Sequence, residues 1–541
     1  MQGLCLSPEV QELCDEYWNW RLSNMPEYAT FVGIHDYDAD LDDMSEAAYE
    51  ARYTKCQQFL AQANELEPTL TDDADIVNIE VLKYELETYI DFYHLKGIYL
   101  TINFLEGPQL DIEKQFNWML RNTTYDYDLM ISRLQKISLQ LDQVIDLMRA
   151  GVANNVTYHA RSMRNMDSAI GRFVVDDPRD SPLYVYFNDS FPTSFSQEEI
   201  QLLQEEAVAA ISEYVTPAYE RLLNFILNEY VTRDQIAVTT IKNGKEFYDS
   251  VIQFHTSTNL TAEQIHQIGL EEVDRIQAEM QQVVTDLGYN MTTQEFSEYI
   301  RNDPNNYYNN SDDLMAGFDA IVYDLIPPHL PEIFENIPTS KLEPKYSMLT
   351  LSLHEGDPGH HLQGAHCIES PDFPYFRRIT EDRNYGLSPS RFPLYTYYAE
   401  GWALYSEGLG FDMNLYGDPL ERYGHYSEEI FRACRLVVDT GMHALGWTRE
   451  QAIQYMLQNT ASTRGEIEIE VDRYITWPGQ ALAYKIGQLK ISELRSKSEE
   501  ELGDLFDIKD FHEVILDSFG SLDIVESEVD KWINATLSNN I

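Results

Sequence analysis

The segment His354-Glu355-Gly356-Asp357-Pro358-Gly359-His360-His361 places three imidazoles and two carboxylates within eight positions. Imidazole and carboxylate are zinc ligands, and a Glu directly after a His ligand is the general base of many zinc hydrolases. In the common H-E-x-x-H form the second His stands at i+4 on the same helix face. Here position i+4 is Pro358. In a straight helix, residues six or seven apart are separated by about 9–10 Å along the axis, too far for both to reach one ion at about 2 Å. The Pro358-Gly359 pair is expected to break the helix and fold the later histidines back. Helical phase favours His361, because i+7 returns to the face of His354. Comparison of the Gly-His step with ordinary zinc helices favours His360. Both stay candidates.

A third ligand is available downstream. Tyr397-Tyr398-Ala399-Glu400-Gly401-Trp402-Ala403-Leu404-Tyr405-Ser406-Glu407 reads as a buried helix carrying a carboxylate inward. Zinc hydrolases with two His and one Glu draw the Glu from a second helix. Glu400 fits, and Glu407, two turns on, shares its face. The expected cofactor is one zinc ion. The bland alternative is a polar helix cap with surface histidines and a solvated Glu400. It is the weaker reading, since three of the chain's 13 His fall in this one segment.

The elements that must hold these residues are helical. Pro8 to Arg21, Glu46 to Glu65 and Tyr125 to Gly151 carry apolar residues at helical spacing, the last with Met130, Leu134, Ile137, Leu141, Ile145 and Leu147. Ser196/Glu199, Thr261/Gln264, Thr292/Glu295 and Thr448/Gln451 are capping boxes that open helices. Asp234 to Ile241, rich in β-branched residues, is expected to form a short strand. Pro327 to Pro344 is a proline-rich connector. Residues 1–541 thus read as one unit, with an N-terminal helical lobe (1–326), a connector (327–344) and a metal-site lobe (345–541).

Composition narrows the partners. Ninety-one acidic against 38 basic residues give a formal charge of −53, which argues against nucleic acid. No run of 18 apolar residues marks a membrane span. Five cysteines are too few and too scattered for a disulfide framework, although a bridge such as Cys367 to Cys434 is conceivable. Seven N-x-S/T sequons, at Asn122, Asn155, Asn188, Asn259, Asn290, Asn309 and Asn534, point to an extracellular or secretory glycoprotein. No signal peptide is visible at Met1 to Val10, which keeps a cytoplasmic location as the alternative.

Four longer motifs in order, HEGDPGHHLQ, AEGWALYSEGLG, RACRLVVDTGMHALGWTREQA and EVDRYITWPGQALAYKIGQLKISELR, resemble the domain of unknown function 885 family. The likeness extends upstream to Asn243-Gly244, Tyr248 and Ile265 to Val273, and downstream to Asp510-Phe511-His512. That family has an HExxPGHH signature and is grouped with zinc metallopeptidases. The resemblance implies a mainly α, two-lobed helical zinc-metallopeptidase-like fold with a few short strands. It also implies a longer segment than this chain has at 327–344, including a strand of the kind that pairs with substrate backbone.

The remaining roles follow from the chemistry of peptide hydrolysis. Zinc brings the pKa of a bound water toward 7, and Glu355 can take its proton and pass it to the leaving amine. The oxyanion needs a further donor, with Tyr484 first and Tyr474 and His443 in reserve. Arg473 can bind a substrate carboxylate, and Asp439 can orient a ligand imidazole. The expected activity is zinc-dependent cleavage of peptide bonds, mostly in short peptides. A metal-dependent amidase on a non-peptide substrate and a catalytically inactive metal-binding homologue are the alternatives, the second resting on the short connector.

Overall fold

The computed structural model describes residues 6–188, 191–308, 310–330 and 345–539. These residues are mainly α-helical. Capping explains where many helices begin. Thr123 with Asp126, Ser196 with Glu199, Thr261 with Gln264, Thr292 with Glu295, Thr448 with Gln451 and Thr463 with Glu466 each form reciprocal boxes. Each pair satisfies orphan N–H groups of a first turn. The apolar stripe at 130–147 lies buried inside a helix at Thr124–Asn154.

The expected short strands are absent among the described residues, where one isolated bridge, His159 to Arg233, is the β pairing present. The segment taken for a strand instead contains a 3-10 turn at Val238–Thr240. Its polar groups are committed elsewhere. Val238 N–H donates to His443 Nδ1 at 3.0 Å, and the Thr239 hydroxyl donates to the His443 carbonyl at 2.6 Å. A segment docked in this way on a helix end has no ladder to join. Most of the proline-rich connector, 331–344, lies outside the described residues. The conceived Cys367–Cys434 bridge does not form: Cys14, Cys56, Cys367 and Cys434 are buried free thiols. No helix among the described residues is long and apolar enough to cross a membrane.

Seven helices carry the site. They are α1 (Ala262–Asp286), α2 (Lys345–Glu355), α3 (His360–Glu369), α4 (Thr396–Asp412), α5 (Pro419–His443), α6 (Arg464–Thr476) and α7 (Ala483–Leu502). One apolar core runs from Val10 to Ile533 and takes in Leu353, Tyr397, Trp402 and Ile486. Another gathers Val273 and Ile276 of α1, Ile430 to Met442 of α5 and Val471 to Ile475 of α6. The site helices stand where these cores meet. Helices α4 and α7 touch backbone to backbone at Gly401 and Gly487. A Cβ on Gly487 would lie 1.9 Å from the Tyr397 carbonyl oxygen, and one on Gly401 would lie 2.6 Å from Gly487. Only glycine permits that approach, and it sets Glu400 beside the helix that carries Tyr484.

Candidate metal centre

Helix α2 ends at Glu355 and α3 begins at His360. The four residues between them reverse the chain, and two sets of contacts hold the reversal. Gly359 sits against the end of α2, where a Cβ would lie 1.9 Å from the His354 carbonyl oxygen and 2.4 Å from that of Leu353. The Pro358 carbonyl accepts from Trp402 Nε1 at 2.8 Å and from the Ser406 hydroxyl at 3.3 Å. Both donors belong to α4, which therefore supplies a candidate ligand and also clamps the break between the other two.

The outcome is a compact donor set. His354, His360 and Glu400 each present a ligand atom, and these atoms all lie within 4.8 Å of one another. Glu400 Oε2 is 3.2 Å from His360 Nε2 and 3.5 Å from His354 Nε2. The two imidazoles stand edge to face, with centroids 4.9 Å apart. Donors about 2.0–2.1 Å from a tetrahedral zinc are separated from each other by about 3.3–3.4 Å, which the two Glu400–imidazole distances match. Glu400 Oε2 is also buried without a hydrogen-bond partner, which a cation between the three atoms would relieve. Burial pushes the Glu400 carboxyl up, but the facing imidazoles outweigh it and hold the group well below the usual carboxylate range.

Glu407, 1% exposed, supports the set from behind, accepting from His354 Nδ1 at 2.7 Å. With a cation bound, a proton held on Nδ1 would leave the Nε2 lone pair free to ligate it, the carboxylate–histidine arrangement that orients metal ligands. Arg432 Nη2 lies 3.9 Å behind Glu407, and the Tyr416 hydroxyl donates to the Glu407 carbonyl. Burial lowers the His354 pKa, while Glu400 and Glu407 raise it further, to about 9.

The other candidates divide. His361 is turned from the cluster and pairs with Asp357 Oδ1 at 3.0 Å. Asp439 hydrogen-bonds to neither imidazole. It is buried, accepts from the Tyr248 hydroxyl at 2.6 Å and from Gly479 N–H at 3.1 Å, and burial lifts its pKa to about 7. The orienting carboxylate is instead Glu407, which the sequence offered only as a face-mate of Glu400. His443 is buried between Val238 N–H and the Tyr474 carbonyl, and burial pushes its pKa down to about 3. Tyr474 is buried against Arg435 and Glu470. Glu355 is exposed at the end of α2, one residue from the candidate ligand His354.

Tyr484 and Arg473 do share a cleft with Glu400. Its volume is about 340 Å³, and its wall includes Tyr385, Trp477 and Gln480. Tyr385 and Trp477 stack with centroids 4.7 Å apart. Glu106 ties them together, accepting from Tyr385 N–H at 2.7 Å and Trp477 Nε1 at 3.0 Å. Arg473 Nη2 donates to Gln480 Oε1 at 2.8 Å and to the Tyr484 oxygen at 3.3 Å. The sequence reading missed Tyr385 and Trp477, which lie about ninety positions apart with no shared motif.

A mainly helical protein with a partly buried His-His-Glu cluster, whose Glu400 lines a polar cleft, is the class that fold and site define. The chain belongs to the family described as bacterial protein of unknown function (DUF885), which matches residues 26–344 and 333–524. No functionally curated protein matches it. Among solved structures, it is similar to a Colwellia psychrerythraea protein provisionally described as a lipoprotein. Identity is 25%, the TM-score is 0.84, and the match covers 97% of this chain and 99% of that one. It is also similar in fold to a Shewanella oneidensis protein provisionally described as a lipoprotein of unknown function. There identity is 15%, the TM-score is 0.68, and coverage is 96% and 99%.

Proposed function

We propose that this protein is a zinc-dependent hydrolase that cleaves peptide bonds in short peptides. The observation that carries the reading is the convergence of His354 Nε2, His360 Nε2 and Glu400 Oε2 beside an open cleft. Three protein ligands with a free fourth direction are the pattern of catalytic rather than structural zinc. A zinc ion held there would supply a Lewis acid and make a water nucleophilic near neutral pH.

The chain's own residues account for the rest. Glu355, exposed beside His354, takes the proton of the attacking water and returns it to the leaving amine. The Tyr484 oxygen accepts from Arg473, so its own proton remains to be donated. No acceptor for that proton is recorded among the described residues, which suits an oxyanion donor. A cleft of about 340 Å³ fits a few residues of extended peptide, which favours short substrates. The provisional lipoprotein description of the similar structures supports an extracytoplasmic or secreted location. Six of the seven sequon asparagines are exposed, and Asn309 lies outside the described residues.

The test is metal content together with hydrolysis. Zinc-loaded protein should hold about one ion per chain and cleave members of a short-peptide panel. His354→Ala should lose both properties. A chain that takes up no metal, with a melting temperature that added zinc does not raise, sinks the proposal.

A further inference from the structure

The charges around the cleft are unevenly balanced. Of its cationic residues, Lys114 is paired with Asp111 at 2.9 Å. Arg383 is enclosed by Glu27, Asp42 and Glu381 at 2.9–3.2 Å. Arg473 differs. Its nearest carboxylate is Glu470 Oε1, 3.6 Å from Nη1. Glu470 already serves Arg435 Nη2 at 3.0 Å and the Tyr474 hydroxyl at 2.9 Å. Two guanidinium groups thus share one carboxylate, so Arg473 is the least compensated cation of a cleft whose wall also carries Glu106, Asp111, Asp382 and Glu400.

The donor geometry agrees. Arg473 Nη2 is engaged by neutral acceptors, Gln480 and Tyr484. Its Nε and Nη1 donors make no hydrogen bond, and Nε is buried without a partner. The Arg473 guanidinium lies 5.7 Å from the Trp477 ring centroid, and the Arg435 guanidinium lies 4.6 Å from the Tyr484 centroid. Aromatic surface and neutral amide hold the guanidinium in place without neutralising it. A fixed, under-compensated guanidinium on a cleft wall recognises a carboxylate better than any other common group in a peptide.

We infer that Arg473 is a specificity residue that binds a free carboxylate at the substrate's end, so that the substrates are short peptides with an unblocked C-terminus. The assignment of the bond that is cleaved rests on the hydrolase reading above, but carboxylate recognition is measurable without turnover. The probes are trialanine and trialanine amide, titrated by calorimetry into zinc-loaded Glu355→Gln protein, in which bound peptide persists. The acid should bind about 10–100-fold more tightly than the amide, the scale of a charge-assisted pair. Arg473→Gln in the same background should bring that ratio to about twofold or less while leaving amide binding unchanged. Arg473→Lys keeps the charge without the fork and should retain part of the preference, which separates lost recognition from lost folding. Acid and amide binding alike, neither binding detectably, or a preference that survives Arg473→Gln each overturns the inference. Wild-type protein that hydrolyses acid and amide equally well overturns it while the hydrolase reading stands. Selective acid binding without hydrolysis of any peptide leaves it standing and removes the hydrolase reading.

Discussion

Replacing Glu407 probes the proposed metal centre without touching a candidate ligand. Its Oε1 accepts from His354 Nδ1 at 2.7 Å in a site where the imidazole and the carboxylate are 5% and 1% exposed. That bond holds the ring with Nε2 facing Glu400 and adds electron density to the ligand nitrogen. Losing such a partner costs metal affinity by about 10–100-fold, or about 1.4–2.7 kcal/mol. Glu407→Gln keeps an acceptor for Nδ1 and loses only the charge, so it belongs near the tenfold end. Glu407→Ala leaves a buried N–H unpaired and frees the ring to rotate, which places it near the hundredfold end. Competition with a chromophoric zinc chelator at neutral pH gives both constants, with Glu355→Gln as a control expected to stay near wild type. If Glu407→Ala binds zinc within about twofold of wild type while folding normally, His354 is not held as a ligand in the way described.

Glu355→Gln should keep its zinc and lose peptide hydrolysis by about 100-fold or more, and equal turnover would remove Glu355 from the mechanism. Tyr484→Phe should keep its zinc and lower kcat more than it raises KM, because an oxyanion donor acts mainly in the transition state; a pure KM effect would contradict that role. Gly359→Ala forces a Cβ to 1.9 Å from the His354 carbonyl oxygen, so it should cost about 3 kcal/mol or more and release zinc together with the lost stability; unchanged urea unfolding would mean the break is held by other contacts. His443, with its folded pKa depressed to about 3 by burial, contributes stability that is present above its unfolded pKa and lost as pH falls from about 6.5 toward 3. The stability difference between wild type and His443→Asn should therefore shrink as pH is lowered, by up to about 1.4 kcal/mol per unit, and a difference that stays constant from pH about 7 to about 4 would refute the buried neutral imidazole.

Several features of this protein are written locally along the chain. The capping boxes at Ser196, Thr261, Thr292 and Thr448 and the stripe from Met130 to Leu147 need only neighbours within a turn or two, so their helices could be read directly. The same holds for the chemistry on offer, since imidazoles at 354, 360 and 361 and an inward carboxylate at 400 are a matter of residue type and spacing. The choice between His360 and His361 was not local. It depends on how far α3 turns after the break, and that is set by Gly359 lying against two carbonyls of α2 and by Trp402 and Ser406 of α4 holding the Pro358 carbonyl. The imidazole-orienting carboxylate likewise could not be chosen between Glu407 and Asp439, because helical phase gives a face but not the neighbour that face meets. The expected strand at 234–241 failed for a related reason: its β-branched residues have the right propensity, yet His443, two hundred positions away, takes the Val238 N–H that a ladder would need. Tyr385 and Trp477 become cleft walls only through Glu106, which binds both from a third part of the chain. Short-range hydrogen bonding and side-chain type are properties of a sequence window, whereas the convergence of ligand atoms to within a few ångströms depends on contacts between helices that no window contains.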